Sequence, residues 1–231
     1  LVRSKPSEFE DIIALLALYR PGPLGSGMAD DFVKRKRGEA AIQYLHPKLE
    51  KVLKNSYGVA IYQEQVMQMA VVLAGFSMAE ADNLRRAMSK KKADVMAKVR
   101  ASFVDGCARI NQIPGDEANR LFDLIDKFAG YGFNRSHSAA YAVITYRTAY
   151  LKANYPVEFM CALLTNEKDN LDKVVEYVKA AESMALKVLP PDVNESNAVF
   201  TVVSKDTIRY GLLSVKNVGA GAIESIVAER L

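Results

Sequence analysis

Between positions 138 and 154 the sequence places Ala, Tyr, Ile and Val on nearly every side of a helical projection. A helix that is apolar all round, and not along one stripe, belongs in an interior. This run therefore predicts a central buried helix, about 25 Å long at 1.5 Å per residue. A chain organised around such a helix is expected to be mainly α.

The rest of the chain agrees as far as about position 188. Ser7 can cap a helix through EDIIALLALY, which Pro21 and Gly22 break, and RPGPLGSG then reads as a loop. A basic helix follows around 30–36, then a short one near 47–54. YQEQVMQMAVVLAGF predicts a buried helix with Val66, Met69, Ala70 and Leu73 facing inward. Ser77 and Glu80 stand in S-x-x-E spacing before the next helix, a capping box. Further helices are expected near 93–109 and 116–127, then on either side of Pro156 and through LDKVVEYVKAAESMA. The pattern changes at LKVLPPDVNES, where Pro190, Pro191 and Asn194 mark a linker. VFTVV and TIRYGL then predict a β-hairpin, and NVGAGAIESIVAER a glycine turn before an amphipathic helix. Two domains follow from this, a helical one over 1–188 and a smaller one over 189–231.

Composition narrows the function classes. No apolar stretch approaches the roughly 18 residues a membrane span needs. The two cysteines, Cys107 and Cys161, lack CxxC or histidine spacing, so neither a zinc site nor a disulfide framework is expected, and a reducing cytoplasm fits. The chain begins at Leu1 with a helical pattern close behind, as an internal piece of a longer protein would. A net charge of +4 is modest, yet its cations cluster in KRKR at 34–37 and RRAMSKKK at 85–92, which suits a polyanionic partner.

Two constellations carry candidate chemistry. In GYGFNRSHSAAY, at 130–141, a glycine-flanked loop brings Tyr131, Arg135 and His137 to a helix start, whose unpaired N–H groups and partial positive charge suit a phosphate. Spacing alone equally describes a helix cap beside a buried aromatic, which is the commoner arrangement. Arg86 and Lys90, four apart, share a helix face and with Arg85 could hold a polyphosphate; a solvated basic helix end explains them as well. KRKR reads as a solvent-exposed helix face more readily than as a nucleic-acid contact. VGAGAIESI has the glycine turn of a helix-hairpin-helix, in which Gly219 and Gly221 would let backbone amides approach a DNA phosphate. There is no P-loop motif, and the one Asp-Asp pair, Asp30 and Asp31, points apart on a helix, so no metal site is expected in this chain.

Taken in order, FEDIIALLALYRPGPLGSGM, YGVAIYQEQVMQMA, ADNLRRAMSKKK, FAGYGFNRSHSAAYAVITYRTAYLKANYPVEFM and LPPDVNES resemble the fingers region of C-family replicative DNA polymerases, the bacterial DNA polymerase III alpha subunits. The resemblance spans essentially the whole chain. It implies a multi-helix fingers domain with a small β-hairpin and a partial helix-hairpin-helix near the C-terminus. It also implies binding of the incoming dNTP by Arg85, Arg86, Tyr131 and His137, with Arg135 and Lys90 beside them. His137 is a candidate proton donor to pyrophosphate. Arg20, Gln63 and Gln65 fall in family motifs without individual roles. Ser89 stands where the family has glycine, and Arg135 where lysine is common. The implied partners are dNTP, primer-template DNA, the palm and thumb, and a sliding clamp reached through segments outside this chain. The Mg²⁺ ions and catalytic aspartates are expected in the palm, so the fragment alone is expected to be inactive. The rival readings are a non-enzymatic DNA-binding module centred on the glycine hairpin and a helical interaction scaffold.

Overall fold

The computed structural model describes residues 2–90 and 93–230, apart from the side chains of 89, 90 and 93. It divides into two compact units, Leu1–Tyr146 and Arg147–Leu231.

The first unit has only helices as regular elements, apart from a single bridge between Tyr62 and Phe133 among the described residues. It contains α1 (Phe9–Leu18), α2 (Pro21–Gly25), α3 (Met28–Lys36), α4 (Glu50–Leu53) between two 3₁₀ turns, α5 (Gln63–Ala74), α6 (Met78–Lys90), α7 (Ala93–Asn111), α8 (Gly115–Ala129) and the start of α9 (Arg135–Asn154). The helix α5 is central, and Val66, Met69, Ala70 and Leu73 are buried as expected, against Leu84 and Met88 of α6, Phe103 of α7 and Phe122 and Ile125 of α8. Each of these side chains larger than alanine contributes roughly 1.5–3 kcal/mol through burial. The Phe103 ring meets Phe76 and Phe122 edge-on, with centroids 6.1 and 5.5 Å away. Where α7 crosses α5, a Cβ on Gly106 would stand 2.3 Å from the Ala74 carbonyl oxygen, so only glycine permits this approach. The Ser77–Glu80 box forms, with the Glu80 carboxylate accepting from the Ser77 N–H and hydroxyl, each at 2.8 Å. A second cluster joins Ile13, Ala17 and Leu18 of α1 to Phe32 of α3, Ile61, Tyr62 and Ala142.

Four expectations need correction in this unit. RPGPLGSG is not simply a loop, because Pro21 occupies the first turn of α2, where its missing N–H costs nothing. Ser7 does not cap α1; Glu8 takes that position, and the Asp11 carboxylate accepts from the N–H groups of Ser7 and Glu8 at 2.8 and 3.1 Å. The KRKR run is only half a solvated face, since Lys34 and Arg37 are exposed but Arg35 and Lys36 are not. The Lys36 ammonium lies 3.1 Å from Asp11, both side chains being nearly sequestered at 8% and 4% exposure, and Arg35 donates to the carbonyls of Gln43 and Tyr57. Finally, α9 is not buried along its length: Ser138 and Ala142 are buried, but from 143 to 154 all are exposed except the half-buried Thr145. Within this stretch the Tyr146 ring still meets Phe9 edge-on, with centroids 6.3 Å apart.

The second unit holds the remainder of α9, α10 (Pro156–Asn166), α11 (Leu171–Ser183), β1 (Lys187–Leu189), β2 (Thr201–Ser204), β3 (Thr207–Arg209), a 3₁₀ turn at Leu212–Ser214 and α12 (Ala220–Ala228). Its sheet runs β1-β3-β2. The predicted hairpin is β2 with β3, and the turn is tied by the Asp206 carboxylate, which accepts from the hydroxyls of Ser204 and Thr207. Part of the predicted linker is instead β1, pairing parallel to β3 with Val188 opposite Ile208. Val157, Met160 and Leu164 of α10, Val174 of α11, Phe200 and Ile208 make this unit's core.

Candidate functional site

The loop that leads into α9 is built from several distant segments. After α8, Gly130, Tyr131 and Gly132 continue the helical turn through N–H bonds to Asp126, Phe128 and Ala129. Phe133 then pairs with the strand-like stretch before α5, donating to the Ile61 carbonyl at 3.0 Å while its own carbonyl accepts from Gln63 N–H at 2.9 Å. Arg20 clamps the loop from outside. Its Nη2 donates to the Tyr131 carbonyl at 2.8 Å and its Nε to the Ala17 carbonyl at 2.7 Å, and its guanidinium lies 4.3 Å from the Phe133 ring centroid.

Beneath the loop, the buried Gln65 side chain satisfies both ends of its amide. Oε1 accepts from the N–H groups of Ile61 and Tyr62, and Nε2 donates to the Ser56 hydroxyl and the Val52 carbonyl. This explains why the YQEQ motif matters to the loop: Gln63 and Gln65 hold the strand that Phe133 joins. Glu64 goes further, as its two carboxylate oxygens each lie 3.1 Å from the Arg135 N–H at the start of α9. Asn134 Oδ1 accepts the His137 N–H at 2.8 Å. Two of the helix-start donors expected to meet a phosphate, the Arg135 and His137 N–H groups, are thus engaged within the chain.

The expected site side chains divide into two groups. Tyr131 packs over Gly22, where a Cβ would come within 2.8 Å of its ring. Arg135 pairs with Glu10 at 2.6 Å; that hydrogen bond outweighs partial burial and raises the guanidinium pKa above its ordinary value. The buried Tyr62 ring lies 5.9 Å from this guanidinium, and burial raises the Tyr62 phenol pKa. His137 is exposed and held between the rings of Phe133 and Tyr141, at 5.4 and 4.7 Å.

On α6, Arg85 and Arg86 share one carboxylate. Asp82 Oδ1 accepts from Arg85 Nε and Nη2 at 2.9 and 2.7 Å, and Oδ2 from Arg86 Nε at 2.7 Å. These hydrogen bonds, that from Arg85 first, lower the Asp82 pKa and keep the group ionised. The Lys90 side chain, and Lys91 and Lys92 entirely, lie outside the described residues. Asp82, Glu64 and Glu10 were missed from the sequence. Only Asp82 left a local signal, the D-x-x-R-R spacing.

In the second unit, Gly219 is the N-cap of α12 and Gly221 lies in its first turn. A Cβ at either would meet nothing within 4 Å. The fold itself therefore does not demand glycine there. Arg230 ties the end of α12 to the PPDVNES loop through the Val193 and Ser196 carbonyls. Among the described residues, no three His, Cys, Asp or Glu side chains gather as metal ligands, and no helix is long and apolar enough to cross a membrane.

Comparison with known proteins places these features in context. Residues 1–111 match the bacterial DNA polymerase III alpha subunit finger domain, and residues 185–231 a helix-hairpin-helix motif. Over 96% of its length the chain is 52% identical to the DNA polymerase III subunit alpha of Pseudomonas aeruginosa. Over 99% it is 51% identical to those of Vibrio cholerae and Escherichia coli K12. It spans only 19 to 20% of the length of these relatives.

Proposed function

Because the chain belongs to the bacterial DNA polymerase III alpha subunits, in their fingers region, we propose that it is the part of a replicative DNA-directed DNA polymerase that grips the incoming dNTP. The observation that carries this reading is the convergence of Arg85 and Arg86 on a single carboxylate, since two guanidiniums gathered at one anion are arranged as a phosphate would need them.

In this reading Arg85 and Arg86 exchange Asp82 for triphosphate oxygens and neutralise charge that develops on the departing pyrophosphate. Lys90 and Arg135 add to the local positive potential. Tyr131, seated on the Arg20-clamped loop, packs against the base or sugar. His137, exposed between two rings, donates a hydrogen bond or proton to the pyrophosphate. The Mg²⁺ ions and their carboxylates belong to the palm, outside this chain. The wider partners are primer-template DNA, palm, thumb and a sliding clamp reached elsewhere, in the cytoplasm.

The test uses the intact polymerase. Arg85→Ala, Arg86→Ala and Tyr131→Ala are expected to raise the KM for dNTP or lower turnover while primer-template affinity stays near normal; loss of DNA binding with normal nucleotide kinetics would refute the assignment. A single-turnover rate unchanged in His137→Ala would remove that residue's role. The chain alone, given Mg²⁺, dNTPs and a primed template, is expected not to extend the primer.

A second activity is supported by the open space at Gly219 and Gly221. We assign the turn before α12 to sequence-independent contact with a DNA phosphate, its glycines leaving room for the backbone of the duplex.

A further inference from the structure

We propose that Asp82 is the positioning residue of the arginine pair: its one carboxylate gathers the guanidiniums of Arg85 and Arg86 to a common side of α6 before a triphosphate arrives. The inference rests on the reading of both arginines as dNTP ligands.

Neighbouring residues on a helix are turned about 100° apart, and two adjacent arginines also repel. Left alone, these side chains would diverge. Asp82 stands three residues before one and four before the other, the two spacings that share a helix face. The division of labour is clean, with Oδ1 serving Arg85 at 2.9 and 2.7 Å and Oδ2 serving Arg86 at 2.7 Å. The helix beneath is rigidly seated, because Ala81, Leu84 and Met88 of α6 are buried in the core. Asp82 and Arg85 are about one-third and one-quarter exposed, and Arg86 is mostly exposed at 64%, so an incoming anion can reach the group. A ligand then replaces an anion already in place and need not order two long side chains from freedom.

Charge alone makes the opposite prediction. Removing a carboxylate increases the positive potential, so a site acting only through net charge would bind dNTP more tightly without Asp82. Positioning requires it to bind more weakly. In the intact polymerase, Asp82→Asn is expected to raise the dNTP KM roughly tenfold, the scale of one charge-assisted hydrogen bond. Turnover at saturation, primer-template affinity and thermal midpoint should change little, and Asp82→Glu should recover much of the loss. A KM unchanged or lowered in Asp82→Asn, while Arg85→Ala and Arg86→Ala raise it, overturns this inference and leaves the nucleotide reading standing. A lowered thermal midpoint with normal KM would likewise reduce Asp82 to a structural ion pair. If the arginine variants themselves keep a normal KM, both readings fall together.

Discussion

The Glu64 carboxylate caps α9 from 71 positions upstream, each oxygen 3.1 Å from the Arg135 N–H. Arg135 is held a second time through its side chain, by Glu10. The two contacts differ in worth. A carboxylate on a helix-start N–H stabilises by about 1 kcal/mol, whereas a pair as exposed as Arg135 and Glu10, at 43% and 36%, contributes about 0.5 kcal/mol. Glu64→Ala is therefore expected to lower stability about twice as much as Glu10→Ala, measured by urea unfolding of the chain. Equal losses would mean that the cap is not what fixes the loop.

Gly22 concerns Tyr131 more than it concerns its own helix. A Cβ there would stand 2.8 Å from the Tyr131 ring, so the ring must move, and it would also crowd Pro23, which follows in the same turn. Gly22→Ala is expected to lower the thermal midpoint of the chain by no more than a few degrees and to raise the dNTP KM of the intact polymerase several-fold. Normal nucleotide kinetics would show that the Tyr131 ring is not placed for the nucleotide by this elbow.

These relations mark where sequence reasoning stopped. The inner face of α5 and the Ser77–Glu80 box were legible because period and spacing within a few residues determine them. Roles for Gln65, Arg20 and Glu64 were not, since each acts on backbone groups whose proximity only the tertiary fold creates. The strand β1 escaped notice because three residues before a double proline carry little pattern, and its partner β3 is 20 positions away. For α9 the pattern was read correctly as apolar all round, but burial is a property of neighbours, and residues 143–154 have few here. KRKR misled for the reverse reason: a run of charges gives no hint that one of them reaches a sequestered aspartate.

That aspartate gives the chain a specific acid response. Burial pushes the Asp11 carboxyl up, but hydrogen bonds from Ser7, Glu8 and Lys36 outweigh it, and its pKa falls below the ordinary value. A carboxyl depressed in the folded state stabilises fully above the unfolded pKa of about 4 and loses that contribution as pH falls through the folded value. Asp11→Asn, which leaves Lys36 without its anion, is expected to cost about 3 kcal/mol at pH 7. The gap between wild type and variant should narrow below about pH 4 in urea titrations. A gap constant across pH would mean that the Asp11 charge does not hold α1 to α3.

The helix-hairpin-helix offers the sharpest separation of folding from function. At Gly221 a Cβ meets nothing within 4 Å, and the position lies in the first turn of α12, so alanine should be tolerated or stabilise by up to about 1 kcal/mol. Nothing among the described residues asks for glycine there. An external surface does, if the first N–H groups of α12 approach a phosphate closely, because a methyl group would hold the duplex off by more than a hydrogen bond can stretch. Gly221→Ala is therefore expected to weaken salt-dependent binding of duplex DNA by the chain while its thermal midpoint stays level or rises. Arginine variants at 85 and 86 should leave that duplex binding nearly intact. Were Gly221→Ala to bind duplex as tightly as the parent across a salt series, the turn before α12 would not be a phosphate contact, and affinity for primer-template would have to come from other surfaces of the polymerase.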